Sequence, residues 1–283
     1  MRARLLVGGG NLRARILTAA AMVPVVAAAL YLGDWPLVVF LLAVSAGMGW
    51  DWGGLAASDS GPWPVRAAGA ALTAALRARP SAGVLHVVSP TVAAGAVVFI
   101  LLAAAVFTRR QAVPRPRLFF FGMPVLVVGC TAVAWLRGDD LAGLWVVAWT
   151  VAVVILMDIG GYVFGRLIGG PRLMPRVSPN KTWAGLLGGV GAAALFGAVL
   201  GGAIEGVSGA VLAVWSALVA LFSQAGDLAE SAVKRHVGVK DSGAMLPGHG
   251  GLLDRVDGHL AALALVLGVA VVSGRSPLAW AGT

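Results

Sequence analysis

The chain has 283 residues, of which 59% are hydrophobic and 12% are charged, and its formal net charge at pH 7 is +9. Soluble domains carry about 25% charged residues, so the composition excludes an ordinary soluble protein and indicates an integral membrane protein. The basic residues are scattered between apolar stretches instead of being gathered on one polar domain, which argues against a nucleic-acid-binding protein.

Hydropathy, with Pro, Gly and charged residues as boundaries, predicts an all-α integral membrane protein, a polytopic bundle of about nine transmembrane helices. The predicted ranges in chain order are 15–32, 37–55, 65–77, 84–107, 118–136, 143–165, 184–203, 208–225 and 257–273. The third range is short and rich in alanine, so whether it spans the membrane completely stays open. We expect one domain with two parts, the N-terminal helices at 1–136 and a C-terminal region at 137–283 that holds most of the polar residues.

Basic residues are distributed unequally between the loops that these helices create. With the N-terminus in the cytoplasm, all but four of the 21 basic residues fall on the cytoplasmic side, and the exceptions are Arg77, Arg79, Arg137 and Arg275. Cytoplasmic loops of membrane proteins show this excess of Lys and Arg. We therefore predict a cytoplasmic N-terminus, with the two long polar loops at 166–183 and 226–257 on the same cytoplasmic face.

Three pairs of glycines are spaced four residues apart within the predicted helices. The pairs are Gly161 with Gly165, Gly185 with Gly189, and Gly197 with Gly201. Small residues at this spacing let the backbones of neighbouring helices approach closely. We interpret them as contacts within one bundle, and the alternative, a homodimer interface, stays open.

A polar stripe is predicted if the helix at 208–225 continues past the membrane surface. Asp227, Glu230, Ser231 and Lys234 would then share one helix face, because residues three and four positions apart lie on the same side. The stripe would carry two carboxylates, a hydroxyl and an ammonium group.

A second helix start follows the glycine-rich turn at 247–251. A helix that begins near Leu252 would place Asp254 and Asp257 one turn apart at its N-terminus, where the helix dipole favours anions. Carboxylates from two helices that meet at a polar cleft suit Mg²⁺, which takes a few oxygen ligands together with water and phosphate. Positive charge for a polyphosphate would come from Lys234, Arg235, Lys240 and Arg255. The structural alternative is that these bases are interfacial residues whose charged ends reach water.

Two further features precede this segment. Asp158 lies inside the predicted helix at 143–165, where an ionisable residue is a candidate functional group, although a purely structural partner stays an alternative. Ser178, Lys181 and Thr182 lie in the loop that follows and could hold a nucleotide phosphate or base. A turn with a helix cap explains Ser178 and Thr182 nearly as well. No H-E-x-x-H or G-x-x-x-x-G-K-[ST] pattern occurs, which argues against a zinc site at His249 and against an ATPase motor.

The segment from Ser231 to Asp257 resembles the signature of the phosphatidate cytidylyltransferases, or CDP-diacylglycerol synthases. The matching positions are Ser231, Lys234-Arg235, Lys240-Asp241, Leu246-Pro247, His249-Gly250-Gly251, Asp254-Arg255 and Asp257. The upstream positions that also match are Asp158 with Tyr162 and Gly165-Arg166, Ser178 to Thr182 and Gly226 to Ser231, so the resemblance covers roughly 145–273. Asn180 and Ala184 depart from the family pattern, which usually has a basic residue and a Glu there.

The resemblance implies transfer of the cytidylyl group of CTP to phosphatidic acid, with CDP-diacylglycerol and pyrophosphate as products. It implies Mg²⁺ on Asp227 and Asp254, with a second cation left open, and phosphate contact by Lys234, Lys240 and Arg255. Asp257 completes the implied catalytic set, and the implied nucleotide-binding residues are Ser178, Lys181, Thr182, Ser231, Arg235, His249, Gly250 and Gly251. The implied location is the inner membrane, with the site facing the cytoplasm. A polytopic transporter with a cytoplasmic-facing polar cleft is the alternative.

Overall fold

A computed structural model describes residues 7–57, 115–138, 141–246 and 250–274, and its side chains are described from residue 20 onward except for Phe120. The helices are α1 (Val7–Leu32), α2 (Asp34–Ala57), α3 (Pro116–Arg137), α4 (Leu141–Leu167), α5 (Trp183–Ala203), α6 (Gly209–Val237) and α7 (Asp257–Ser273). Within the described ranges, the five helices from α2 to α6 are long and apolar enough to cross a membrane. The polytopic helical class is thus confirmed. The total of nine helices and the cytoplasmic N-terminus stay predictions, and the predicted helices at 65–77 and 84–107 lie outside the described residues.

The all-α prediction is wrong in one place, because the loop after α4 forms a small antiparallel hairpin. Strand β1 (Arg172–Met174) pairs with β2 (Ser178–Thr182). The amide of Val177 donates to the carbonyl of Met174 at 3.1 Å and closes the turn. Pro175 follows Met174, a position where its fixed φ favours a turn. Such short strands leave no periodicity for a hydropathy reading to detect.

Helix α6 continues well beyond the predicted end at 225, as the polar stripe required. It ends at Val237, where Gly238 adopts a left-handed conformation with φ of 87°, the usual way for glycine to terminate a helix. The predicted helix start near Leu252 is wrong. A 3-10 turn covers Leu253–Arg255, and α7 begins only at Asp257 because Val256 has non-helical backbone angles.

The chain divides into two compact units. The first combines the described parts of Met1–Cys130 with Val239–Arg255, and the second combines Thr131–Gly238 with the described part of Val256–Thr283. The predicted division at residue 136 between an N-terminal and a C-terminal part stays a prediction.

In the first unit, α1 packs on α2, and α2 presents different faces to α3 and to the Val239–Arg255 segment. The indole N–H of Trp52 donates to the carbonyl of Leu118 at 3.0 Å. A Cβ atom at Gly122 would lie 1.8 Å from the Trp52 ring. On another face, a Cβ atom at Gly47 would lie 2.6 Å from the side chain of Leu252. Close packing therefore fixes α2 against both neighbours.

In the second unit, α5 packs between α4 and α6 through its glycines. A Cβ atom at Gly185 would lie 2.6 Å from the carbonyl oxygen of Gly161, and one at Gly197 would lie 2.3 Å from the hydroxyl of Ser216. The same hydroxyl accepts a hydrogen bond from the Trp149 indole at 3.0 Å. These contacts confirm the interpretation that the spaced glycines pack helices within one bundle.

Candidate active site

The first feature of the site joins the hairpin to α6. Lys181 of β2 forms an ion pair with the carboxylate of Asp227. The hydroxyl of Ser231, one helical turn later, donates to the other carboxylate oxygen at 3.3 Å. The side chains of Lys181 and Asp227 are 24% and 29% exposed, so water and a polar ligand can reach them. The structure thus brings together three residues predicted from two separate stretches of sequence.

The second pair of the polar stripe is buried. Lys234 forms an ion pair with Glu230 one turn earlier on α6, and the two residues are only 8% and 7% exposed. A carboxylate four residues N-terminal to a lysine is the favourable order on a helix. Much of the Lys234 charge is balanced inside the protein, so this lysine contributes less free positive charge than the sequence suggested. Its predicted contact with phosphate stays a prediction.

Asp257 interacts electrostatically with the Lys181 and Asp227 pair. It is the first residue of α7 and lies outside the five candidate membrane spans. Burial, followed by the nearby negative charge of Asp227, raises the pKa of Asp257 from 3.8 to about 7. The Gly258 amide, which donates to Asp257 at 2.7 Å, and the charges of Lys234 and Lys181 oppose this shift. A carboxyl group whose pKa is raised by burial and by a nearby negative charge is a common feature of functional sites.

The part of the signature that belongs to the first unit, Val239–Arg255, is called the signature segment below and folds around the carboxylate of Asp254. This carboxylate accepts the backbone N–H groups of Ser242 at 3.0 Å and Gly251 at 2.8 Å. Hydrogen bonds to a charged acceptor contribute about 1.5–3 kcal/mol each, so Asp254 orders the loop that contains it. These bonds also explain the 3-10 turn, since the side chain points back to the preceding loop.

The geometry of this loop requires glycine at positions 250 and 251. Gly250 has a φ of 83°, and a Cβ atom there would lie 2.9 Å from the Asp254 carboxylate. A Cβ atom at Gly251 would lie 2.1 Å from the Ser242 hydroxyl. The charged side chains of Lys240, Asp241 and Arg255 are exposed around them. The predicted contact of both glycines with nucleotide stays a prediction.

The remaining predicted residues are placed as follows. Thr182 caps α5 by accepting the Gly185 amide at 3.1 Å, which supports the helix-cap alternative for this residue. Ser178 lies in β2, and the exposed Arg235 donates to the carbonyl of Val177 at 3.3 Å. Asp158 lies in α4 with an exposed side chain. His249 lies outside the described residues.

Sequence reasoning missed Asp51. Its carboxylate is buried in α2, with 1% exposure, and accepts the backbone N–H of Leu253 at 3.1 Å. The signal was present, because an acidic residue inside the apolar range 37–55 is a candidate functional group for the same reason as Asp158.

The carboxylates of the site suit Mg²⁺ better than zinc. No group of three or more His, Cys, Asp or Glu side chains is placed to hold a metal ion among residues 7–57, 115–138, 141–246 and 250–274. Mg²⁺ needs only one or two carboxylates, completed by water and substrate phosphates, so the absence of a larger group from the described residues does not conflict with the predicted Mg²⁺ site. Each predicted ligand, Asp227 and Asp254, belongs to its own unit, and their assignment to one ion stays a prediction.

Comparison with known proteins identifies a family and several similar sequences. The sequence model of the cytidylyltransferase family matches residues 13–272. The chain is 46% identical over 153 residues to the phosphatidate cytidylyltransferase of Brucella suis biovar 1 (strain 1330), an alignment that covers 54% of this chain and 55% of that protein. It is 42% identical over 125 residues to the phosphatidate cytidylyltransferase of Staphylococcus saprophyticus, covering 44% of this chain and 48% of that protein. The chain thus spans about half the length of the curated relatives it matches.

Proposed function

Because the chain belongs to the cytidylyltransferase family, we propose that it transfers the cytidylyl group of CTP to phosphatidic acid. The curated relatives that it resembles are named for this reaction. In the transfer, an oxygen of the phosphatidate phosphate bonds to the α-phosphorus of CTP as the bond to the β-phosphate oxygen breaks. CDP-diacylglycerol and pyrophosphate are the products, and a lipid phosphate that is already anionic needs no covalent enzyme intermediate.

The observation that carries this proposal is the cluster of Lys181, Asp227 and Ser231 at a partly exposed position of α6 and β2. A lysine ammonium has three N–H donors, so Lys181 can keep its ion pair with Asp227 while donating to a phosphate oxygen. The hairpin therefore positions a cation beside a carboxylate, an arrangement that orients a phosphate and balances its charge.

The proposal includes Mg²⁺ as cofactor, with Asp227 and Asp254 as its predicted ligands. When bound, Mg²⁺ would neutralise charge on the triphosphate and orient it for in-line displacement. The exposed Lys240 and Arg255 are proposed to hold the phosphates of CTP or the departing pyrophosphate. The proposal also places the protein in the inner membrane, as the resemblance implies, with its site on the cytoplasmic side, as the distribution of basic residues predicts.

The test uses the purified full-length protein in detergent micelles that contain phosphatidic acid and Mg²⁺. CTP labelled at the α-phosphate should transfer its label to the lipid, whereas CTP labelled at the γ-phosphate should release its label as pyrophosphate. ATP, GTP and UTP serve as competitors and as replacement substrates. Absence of α-label in the lipid at any Mg²⁺ concentration would contradict the proposed reaction. Solute uptake into liposomes without CTP would instead favour the transporter alternative.

A further inference from the structure

A buried carboxylate of α2 contacts the backbone of the signature segment. Asp51 accepts the N–H of Leu253 at 3.1 Å. Its Oδ1 lies only 2.0 Å from where a Cβ atom of residue 243 would be, and its Oδ2 lies 2.6 Å from the corresponding position of residue 251. Gly243 and Gly251 therefore leave the room that the Asp51 side chain occupies. All of these residues belong to the first unit.

Close approach, not backbone conformation, requires glycine at position 243. Gly243 is absent from the described glycines with positive φ, in contrast to Gly250 with φ of 83°. Alanine at 243 would thus be acceptable to the backbone, and the three atoms nearest to its Cβ atom would all belong to the Asp51 carboxylate. This property allows the contact to be tested from both sides.

The same segment is held from within by Asp254. The N–H groups of Ser242 and Gly251 donate to Asp254, and the N–H of Leu246 donates to the carbonyl of Gly250 at 2.9 Å. Asp254 orders the segment internally, and Asp51 ties the ordered turn to a helix. The 3-10 turn that carries Leu253 also carries Asp254 and Arg255. Movement of the Leu253 amide would therefore move both charged residues.

We propose that Asp51 is a positioning residue, which fixes the turn at Leu253–Arg255 and thereby the orientation of Asp254 and Arg255 for the phosphates of CTP. The inference rests on the proposed function for its effect on CTP. Its effect on the loop itself does not depend on that function. Helix α2, which is distant in sequence, thus fixes the conformation of the turn at Leu253–Arg255.

The experiment is a double-mutant cycle with Asp51→Ala and Gly243→Ala in the full-length protein. Each single variant should raise the KM for CTP and lower kcat/KM by about tenfold to a hundredfold, because a buried N–H to carboxylate bond is lost or displaced. In the Asp51→Ala background, Gly243→Ala should add less than about twofold, because the clashing carboxylate is gone. Asp51→Asn should recover part of the loss, since its amide oxygen can still accept the Leu253 N–H. The matched control is Gly191→Ala, where a Cβ atom meets nothing within 4 Å.

Trypsin provides a measurement that is independent of transfer. Lys240 and Arg255 are exposed, and cleavage after either residue should be faster in Asp51→Ala than in the parent and in Gly191→Ala. Equal cleavage rates would overturn the inference, whether or not the protein makes CDP-diacylglycerol. Fully additive effects of the two substitutions would also overturn it. So would a lower unfolding temperature with the parental KM for CTP in the folded protein, because Asp51 would then have only a structural role.

Discussion

We expect Asp227→Asn to reduce the rate of transfer much more than it reduces the stability of the protein. The Lys181 and Asp227 side chains are 24% and 29% exposed, so the ion pair is partly exposed and should lie near the upper end of the range for exposed pairs. An exposed pair contributes about 0.2–1 kcal/mol to the free energy of unfolding. The Ser231 hydroxyl donates at 3.3 Å, and the amide oxygen of the substituted side chain can still accept this hydrogen bond. We therefore expect Asp227→Asn to reduce stability by about 1 kcal/mol at most.

The expected effect on transfer is larger. The substitution removes a charge that is proposed to orient Lys181 and to bind Mg²⁺. Loss of one such electrostatic contact lowers the rate about a hundredfold or more, which corresponds to about 2.7 kcal/mol in the activation free energy. Activity should therefore fall by much more than the stability change can explain.

The assay compares the initial rate of lipid labelling with thermal unfolding in the same detergent. Glu205→Gln is the matched control, because Glu205 is an exposed carboxylate between α5 and α6. Its transfer rate should equal that of the parent. Two results would refute the reasoning for Asp227, namely a rate within twofold of the parent, or a loss that only follows the fraction of unfolded protein.

Four further predictions concern neighbouring features. Lys181→Met should lower kcat/KM for CTP about tenfold or more, and Lys181→Arg should retain more activity than Lys181→Met. Equal losses in the two variants would contradict a role for the positive charge. The pKa of the Asp257 carboxyl group is about 7 in the folded protein and 3.8 for the free group. The folded protein therefore holds the Asp257 proton more tightly than the unfolded chain does. The contribution of Asp257 to the free energy of unfolding consequently falls as the pH rises from about 4 to 7. Asp257→Asn should therefore unfold at a higher temperature than the parent at pH 8, but not at pH 4, in the presence of chelator; a gain that is equal at both pH values would count against this pKa. Gly189→Ala should destabilise the protein by about 1–3 kcal/mol, because its Cβ atom would lie 2.5 Å from the Met157 carbonyl oxygen. Gly191→Ala should not destabilise the protein. Thermal unfolding compares the two variants, and equal unfolding temperatures would argue against the close contact at Gly189. Excess chelator should abolish lipid labelling and added Mg²⁺ should restore it; undiminished labelling in chelator would argue against the cofactor.

Local sequence patterns predicted most of the helices and part of the site. Apolar stretches of sufficient length marked α2 and α4, because a helix needs about 20 apolar residues to cross a membrane. The three-and-four spacing of Asp227 and Ser231 predicted their shared helix face, and the structure confirms their contact. Such inferences succeed because the residues involved lie within one or two helical turns of each other.

Other features escaped the sequence because their cause is not local. The hairpin of β1 and β2 has too few residues for a periodic signal. The 3-10 turn at Leu253 replaced a predicted helix start because Asp254 turns its carboxylate toward Ser242. Hydropathy reports the preference of each stretch of sequence for lipid, but it does not account for a side chain that accepts a hydrogen bond from a distant backbone amide.

The amino-acid sequence alone determined the membrane class, the positions of the apolar helices and the resemblance carried by Ser231 to Asp257, since each depends on composition or on spacing along the chain. Tertiary structure decided which charges meet. It paired Lys181 with Asp227, buried Lys234 beside Glu230, and brought Asp51 to Leu253 across 202 residues. The physical reason is that a buried carboxylate needs a hydrogen-bond donor, and only the folded chain determines which donor is within reach.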